Sequence, residues 1–153
     1  MFMSHICFIY HIVWRTYRSE MTIVEENEKE LYAYIHGICK NKNCHLYRIN
    51  SMPNHVHLCV SIHPNISVSE FMKVLKGETS KWMKDNKDLF PDFVGWGEGY
   101  AAFTCSDKDK PNIINYIKNQ KIHHKKETFL QEYRHWLLSE GQDTESDTLL
   151  IDK

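Results

Sequence analysis

Two strand-like runs, residues 44–50 and 55–62, are separated by nothing more than Ser51-Met52-Pro53-Asn54. Pro and Asn punctuate chains at turns, so the two runs are read as an antiparallel hairpin. On either side of it the period of the sequence changes. Residues 5–17 alternate loosely and are rich in Ile, Val, Phe, Tyr and Trp, which suits a long first strand. Residues 23–40 repeat as a helix. Leu31, Tyr34, Ile35 and Ile38 form its apolar stripe, and Glu25, Glu26 and Glu28 lie near its start, where the helix dipole favours them. Beyond Pro64-Asn65, residues 67–86 read as a second helix, with Ser67 and Glu70 at capping-box spacing and Phe71, Val74, Leu75, Trp82 and Met83 on one face. The aromatic, glycine-rich stretch 91–99 is irregular or a short edge strand, and 100–105 returns to strand character. Pro111 suits the first position of a third helix reaching about residue 126, with a shorter helix over 128–139.

The order strand, helix, strand, strand, helix, strand, helix predicts an α+β fold. It is a ferredoxin-like split β-α-β arrangement, an antiparallel sheet with helices packed on it. The 153 residues fit one domain, placed at 1–139, with a polar tail over 140–153. At 42% hydrophobic and 25% charged residues the chain has the composition of a globular domain and not of a disordered one. Its formal net charge of −1 does not announce a nucleic-acid binder, although a neutral sum is compatible with a polarised surface. No run of 18 apolar residues is present, so no membrane-spanning helix is expected. The opening MFMSHICFIYHIVW lacks the basic region and small-residue cleavage site of a signal peptide. The cysteines (Cys7, Cys39, Cys44, Cys59, Cys105) are odd in number and scattered, which suits reduced thiols and a cytoplasmic location. Cys39, Cys44 and His45 lack the second close pair that a zinc site needs, and the cysteines are read as small buried hydrophobes.

The residues that carry chemistry begin at the hairpin turn. On the strand that follows it, His55 and His57 project to one face while Val56 and Leu58 face the core. Two imidazoles held this way can bind one divalent ion. In the third helix Tyr116 and Gln120 are four apart and share a face, continued by His123 and His124. Lys118, Lys121, Lys125 and Lys126 surround it, a locally basic helix suited to a phosphate backbone. If this helix crosses the sheet face that carries the histidines, Gln120 offers an amide oxygen as third ligand and Tyr116 a phenol. Two imidazoles and an amide leave a bound Mg²⁺ or Mn²⁺ its full charge for a phosphate oxygen. A tyrosine hydroxyl can then attack phosphorus and store the bond energy in a covalent intermediate. Each feature alone also has a bland reading, as histidines on a polar sheet face and as a solvated amphipathic helix.

Together they resemble a known family. His55-Val56-His57 is similar to the His-hydrophobic-His motif of HUH endonucleases, and Tyr116-Ile117-Lys118-Asn119-Gln120 resembles the Tyr-x-x-x-Gln helix of their single-tyrosine transposases. The likeness is to the insertion-sequence-200/605 family and its REP-associated relatives. It extends through IYHIVWRT (9–16), SMPNHVHL (51–58), Leu75-Lys76-Gly77 and WGEGY (96–100), and covers about residues 5–139. The resemblance implies a small ferredoxin-like HUH domain that forms a homodimer with sites shared between subunits. It implies binding of single-stranded DNA hairpins and strand cleavage through a 5′-phosphotyrosine, without a nucleotide cofactor. Carried over by position, His55, His57 and Gln120 become metal ligands and Tyr116 the nucleophile.

Arg15, Lys73, Lys76, Lys118 and Lys121 are candidate DNA contacts on charge and expected exposure. Trp96 and Tyr100 are candidates for stacking on an unpaired base. Nucleotide hydrolases with a His-x-His-x-His run are disfavoured because the third position is Cys59, and histidine-bearing barrel hydrolases need about 250 residues. A non-catalytic DNA-hairpin-binding module of the same fold is the alternative, followed by a metal-binding structural protein.

Overall fold

A computed structural model describes residues 6–123, 131, 132, 134 and 135. The elements run β1 (Ile9–Arg15), α1 (Glu28–Asn41), β2 (His45–Met52), β3 (His55–Ser61), α2 (Val68–Asp85), β4 (Ala101–Cys105), α3 (Lys110–Lys118) and α4 (Gln120–His123). The expected hairpin forms: β2 and β3 pair antiparallel, with Met52 opposite His55 and Asn50 opposite His57. β1 lies along the other side of β3 with Val13 opposite His57, and β4 closes the far edge of β1. The sheet is therefore β2-β3-β1-β4 and antiparallel throughout, the predicted α+β split β-α-β arrangement.

Strand alternation divides this sheet into two unlike faces. Ile12 and Trp14 of β1 and Val56, Leu58 and Val60 of β3 pack with Leu31, Ile35 and Ile38 of α1 and Phe71, Leu75 and Met83 of α2. Burial of each such side chain stabilises by about 1.5–3 kcal/mol, so this layer is the main core. The α2 helix starts as its sequence signals, with Ser67 Oγ accepting from the Glu70 N–H at 3.1 Å. The intervening residues on β1 and β3 face the other way. There Ile9 and Cys59 meet Ile117, with Ile113 and Ile114 beside them, so α3 covers the opposite face.

Three boundaries differ from the sequence expectation. β1 stops at Arg15, short of residue 17. Thr16 Oγ1 donates to the carbonyls of Glu20 (2.6 Å) and Asn54 (3.2 Å), which turns the chain out of the sheet. The first helix starts at Glu28, after a 3-10 turn over Glu25–Asn27, because the N–H groups of Thr22 and Ile23 both donate to the Pro53 carbonyl and hold residue 23 outside the helix. The third helix is not continuous: it breaks at Asn119, between α3 and α4. Asn50 Nδ2 donates to the carbonyls of Ile117 (2.9 Å) and Lys118 (3.3 Å), taking acceptors that a continuing helix would use. Asn119, a weak helix former, stands at the break, and Asn115, another, lies one turn before it.

His124, Lys125, Lys126 and the tail over 140–153 lie outside the described residues, as does the expected domain boundary at 139. Of the expected helix over 128–139, only residues 131, 132, 134 and 135 are described, and they are helical. Cys39, Cys44 and Cys59 are buried as expected, and burial pushes the Cys39 and Cys59 thiols up to about 12; Cys7 departs from that reading and is exposed. Among the described residues no helix is long and apolar enough to cross a membrane.

Candidate active site

The site grows out of the second sheet face. β3 is central, so its alternation fixes His55 and His57 side by side, with ring centroids 5.0 Å apart and no exposure to solvent. Each imidazole is held from behind. His55 Nδ1 lies 2.7 Å from Asn54 Oδ1; an amide oxygen only accepts, so Nδ1 carries the proton and Nε2 is left with its lone pair. His57 Nδ1 lies 3.1 Å from Nε2 of His11, which reaches across from β1. His11 is itself buried, and desolvation, reinforced by the neighbouring His57, holds its pKa well below the ordinary 6.5. A neutral His11 can accept the His57 Nδ1–H, and the back nitrogens of metal-binding histidines are commonly held in this way.

α3 lies over this face and brings the nucleophile candidate with it. The ring of Tyr116 stands 6.1 Å from both His57 and His11, edge to face, and 4.7 Å from His123. Gln120 follows just beyond the break at Asn119 and is fully buried. Its Nε2 donates to the Tyr116 carbonyl at 3.4 Å and to Glu132 at 3.2 Å, while its Oε1 has no hydrogen-bond partner among the described residues. A buried amide oxygen without a donor is costly unless something electropositive faces it. Two adjacent imidazoles are a donor set for a divalent cation, and an amide oxygen with no donor among the described residues is of a kind that suits one, so these residues fit the metal that the sequence implied. The four residues singled out from the sequence, His55, His57, Tyr116 and Gln120, thus meet within one chain.

Sequence reasoning missed two further participants. Glu132 is buried, its Oε1 lies 3.2 Å from His57 Nε2, and its Oε2 accepts from the Tyr116 hydroxyl. Ligand atoms of His55, His57 and Glu132 all fall within 4.8 Å of one another. His11 is the second. Its signal was present as a polar residue in the middle of a strand whose neighbours are Ile9, Tyr10, Ile12, Val13 and Trp14; Glu132 sits in a segment whose pattern carried no comparable sign.

The candidate DNA contacts divide. Lys73 and Lys118 are exposed as expected. Arg15 is not: it is buried, donates to the Thr16 carbonyl, and lies so close under Gly97 that a Cβ there would sit 2.8 Å from Nη1. Lys76 donates to the carbonyls of Gly97 (2.8 Å) and Gly99 (3.0 Å), and burial followed by the nearby Arg15 lowers its pKa. Lys76 therefore holds the 95–99 loop, which lies directly over the Arg15 guanidinium. Lys121 is half-buried and bonded to Glu28, Asn50 and the Ser51 carbonyl, which leaves Lys73 and Lys118 as the openly exposed members of the set. Trp96 is engaged in packing, with its Nε1 donating to Thr79 Oγ1 and its ring edge-on to Trp14 and Phe93; Tyr100 packs on the same core.

Residues 5–120 match the model of the family described as transposase, IS200-like. The chain belongs to the IS200-like transposase family. It is 29% identical to the transposase for insertion sequence element IS200 of Salmonella typhimurium over 115 residues, 72% of this chain and 75% of that protein. It is 27% identical to the ISDra2 transposase TnpA of Deinococcus radiodurans over 115 residues, 72% of this chain and 82% of the relative. Two solved structures share the fold. One is a Deinococcus radiodurans protein described as a transposase (TM-score 0.60, 26% identity, covering 76% of this chain and 93% of that one). The other is a REP-associated tyrosine transposase bound to a REP hairpin (TM-score 0.61, 11% identity, covering 100% of this chain and 93% of that one). Tyr116, Gln120, His55 and His57 all lie within the matched residues, whereas Glu132 lies beyond them.

Proposed function

We propose that this IS200-like chain is a metal-dependent DNA transposase that binds single-stranded DNA hairpins and cuts and rejoins them through a 5′-phosphotyrosine on Tyr116. The observation that carries this reading is that Tyr116 and Gln120 both reach the buried His55–His57 pair by way of Glu132, all in one chain. His55, His57 and Gln120 would hold Mg²⁺ or Mn²⁺. When bound, the cation supplies Lewis-acid polarisation of a phosphate oxygen. Asn54 and His11 keep the imidazoles oriented, so the ligand nitrogens need little reordering on loading.

The nucleophile is fixed by packing. Ile117 seats α3 on Ile9 and Cys59, and Asn50 anchors the end of the helix, so the phenol is already aimed into the site. In the transfer the Tyr116 oxygen bonds to phosphorus as the P–O3′ bond breaks, and the phenol proton ends, in net terms, on the departing O3′. A second strand's 3′-hydroxyl reverses the reaction, so no nucleotide cofactor is consumed. Lys73 and Lys118 are the exposed cations best suited to the DNA backbone. The hairpin in the solved relative belongs to that protein; for this chain, hairpin binding is our reading.

We further propose a cytoplasmic homodimer; the resemblance implied sites shared between subunits, whereas the Asn50 anchor that ties α3 to β2 of the same chain favours sites each completed by their own tyrosine. The test uses labelled single-stranded DNA from both flanks of the gene, with Mg²⁺ or Mn²⁺, resolved on a denaturing gel. A slow covalent band in wild type, absent from Tyr116→Phe and from His55→Ala/His57→Ala, is expected. Salt-sensitive hairpin binding without any adduct would instead identify a non-catalytic binding module. Mixing the two inactive variants tests the dimer arrangement: recovery of the adduct would mean that sites are shared between subunits.

A further inference from the structure

Glu132 is the member of the buried cluster that neither the sequence motifs nor the matched residues 5–120 include. It is only 1% exposed, and its two carboxylate oxygens face different partners. Oε1 points to His57 Nε2 at 3.2 Å; Oε2 accepts from the Tyr116 hydroxyl and from Gln120 Nε2. One side chain therefore touches an imidazole, the amide and the phenol at once.

Two physical arguments bear on such a carboxylate. A buried anion is strongly disfavoured unless positive charge and hydrogen-bond donors surround it. The phenol and the amide supply donors on the Oε2 side, and the Oε1 side faces the place where the His55 and His57 ligand atoms converge. Hard divalent cations such as Mg²⁺ and Mn²⁺ also prefer oxygen ligands, carboxylates above all.

We infer that Glu132 is both a metal ligand and a positioning residue: Oε1 completes the cation site of His55 and His57, while Oε2 holds the Tyr116 hydroxyl beside it. This rests on the metal site proposed above. Cation loading and nucleophile placement then share one side chain, which lies outside the family-matched segment. The carboxylate also gives the site a negative charge that two imidazoles and an amide do not.

The experiment titrates the full chain with Mn²⁺ alone, without DNA, and reads free Mn²⁺ by electron paramagnetic resonance. Wild type, Tyr116→Phe, Glu132→Gln and Glu132→Ala are compared, with circular dichroism confirming that each is folded. Glu132→Ala is expected to weaken Mn²⁺ binding by about 10–100-fold, and Tyr116→Phe, which removes only one donor to Oε2, to change it less. Glu132→Gln keeps an oxygen and the shape, so it should lose less affinity. At saturating Mn²⁺ it should still cleave at least about tenfold more slowly, because one of its two terminal atoms is now a donor and the acceptor for the phenol is weakened or lost. A purely structural role would lower the melting temperature and leave Mn²⁺ affinity in the folded variants unmoved, which would overturn the inference. Wild-type cleavage by Glu132→Gln at saturating Mn²⁺ would overturn it equally, as would a wild-type chain that binds no Mn²⁺. A chain that binds Mn²⁺ through Glu132 but never forms a DNA adduct would defeat the transposase reading and leave the ligand assignment standing. If Glu132→Ala does not fold, the near-isosteric Glu132→Gln decides both readouts.

Discussion

The two faces of one sheet use the same strands for opposite purposes. On β3, Val56, Leu58 and Val60 enter the apolar layer beneath α1 and α2, while His55 and His57 enter the layer beneath α3. Both layers exclude water, yet they are stabilised differently. The first gains from transfer of hydrocarbon out of water and is indifferent to the direction of its contacts. The second buries His11, Asn50, His55, His57, Gln120 and Glu132, each of which must find directional partners to offset its desolvation. A core tolerates repacking; a polar layer of this kind is specific and fragile, which suits a site that must hold a charged group in a fixed place.

That contrast can be broken most sharply at the nucleophile. Tyr116→Phe removes one oxygen from the polar layer and should reduce covalent adduct formation on the order of 10⁴-fold or more while the chain remains folded, as followed on a denaturing gel and by circular dichroism. Neighbours on β3 should then separate the faces. Leu58→Ala is expected to cost about 2–5 kcal/mol in urea unfolding while leaving the metal site chemically intact. His55→Ala/His57→Ala should abolish Mn²⁺ binding and cleavage together.

Asn50 joins the two halves, since its side chain holds the carbonyls of Ile117 and Lys118. Asn50→Ala should cost about 1–3 kcal/mol and lower the cleavage rate, because α3 loses its anchor. A smaller effect is expected from pH. The folded pKa of His11 lies below its ordinary 6.5, so the unfolded chain binds its proton first as the pH falls. Its contribution is neutral above about pH 6.5 and destabilising below it; His11→Gln should flatten that acid limb in thermal melts. The smallest change belongs to Lys121→Ala, which breaks the partly exposed pair with Glu28 and should cost about 1 kcal/mol or less, diminishing with added salt.

Much of this was legible in the sequence because it is local. Alternation named the strands, the Pro53-Asn54 turn fixed the hairpin, and Ser67 with Glu70 marked the start of α2. The i, i+2 spacing of the histidines and the i, i+4 spacing of Tyr116 and Gln120 carried through to side chains that meet in the fold. The third helix was misread at Asn119 because the residue that ends it, Asn50, comes from another strand. Arg15 and Lys76 were expected at the surface; Arg15 is buried where Gly97, lacking a side chain, lets a loop lie on the guanidinium, and Lys76 is half-buried by its bonds to the Gly97 and Gly99 carbonyls.

The sequence by itself thus determined the order of elements, the hairpin and the two motifs, since backbone periodicity and turn chemistry act between residues a few positions apart. Only the tertiary structure decided that α3 covers the histidine face of its own chain, that His11 backs His57, and that Glu132 reaches the same point as Tyr116. Those relations join residues distant along the chain, and they become visible when the sheet closes and each buried polar group must find its partner.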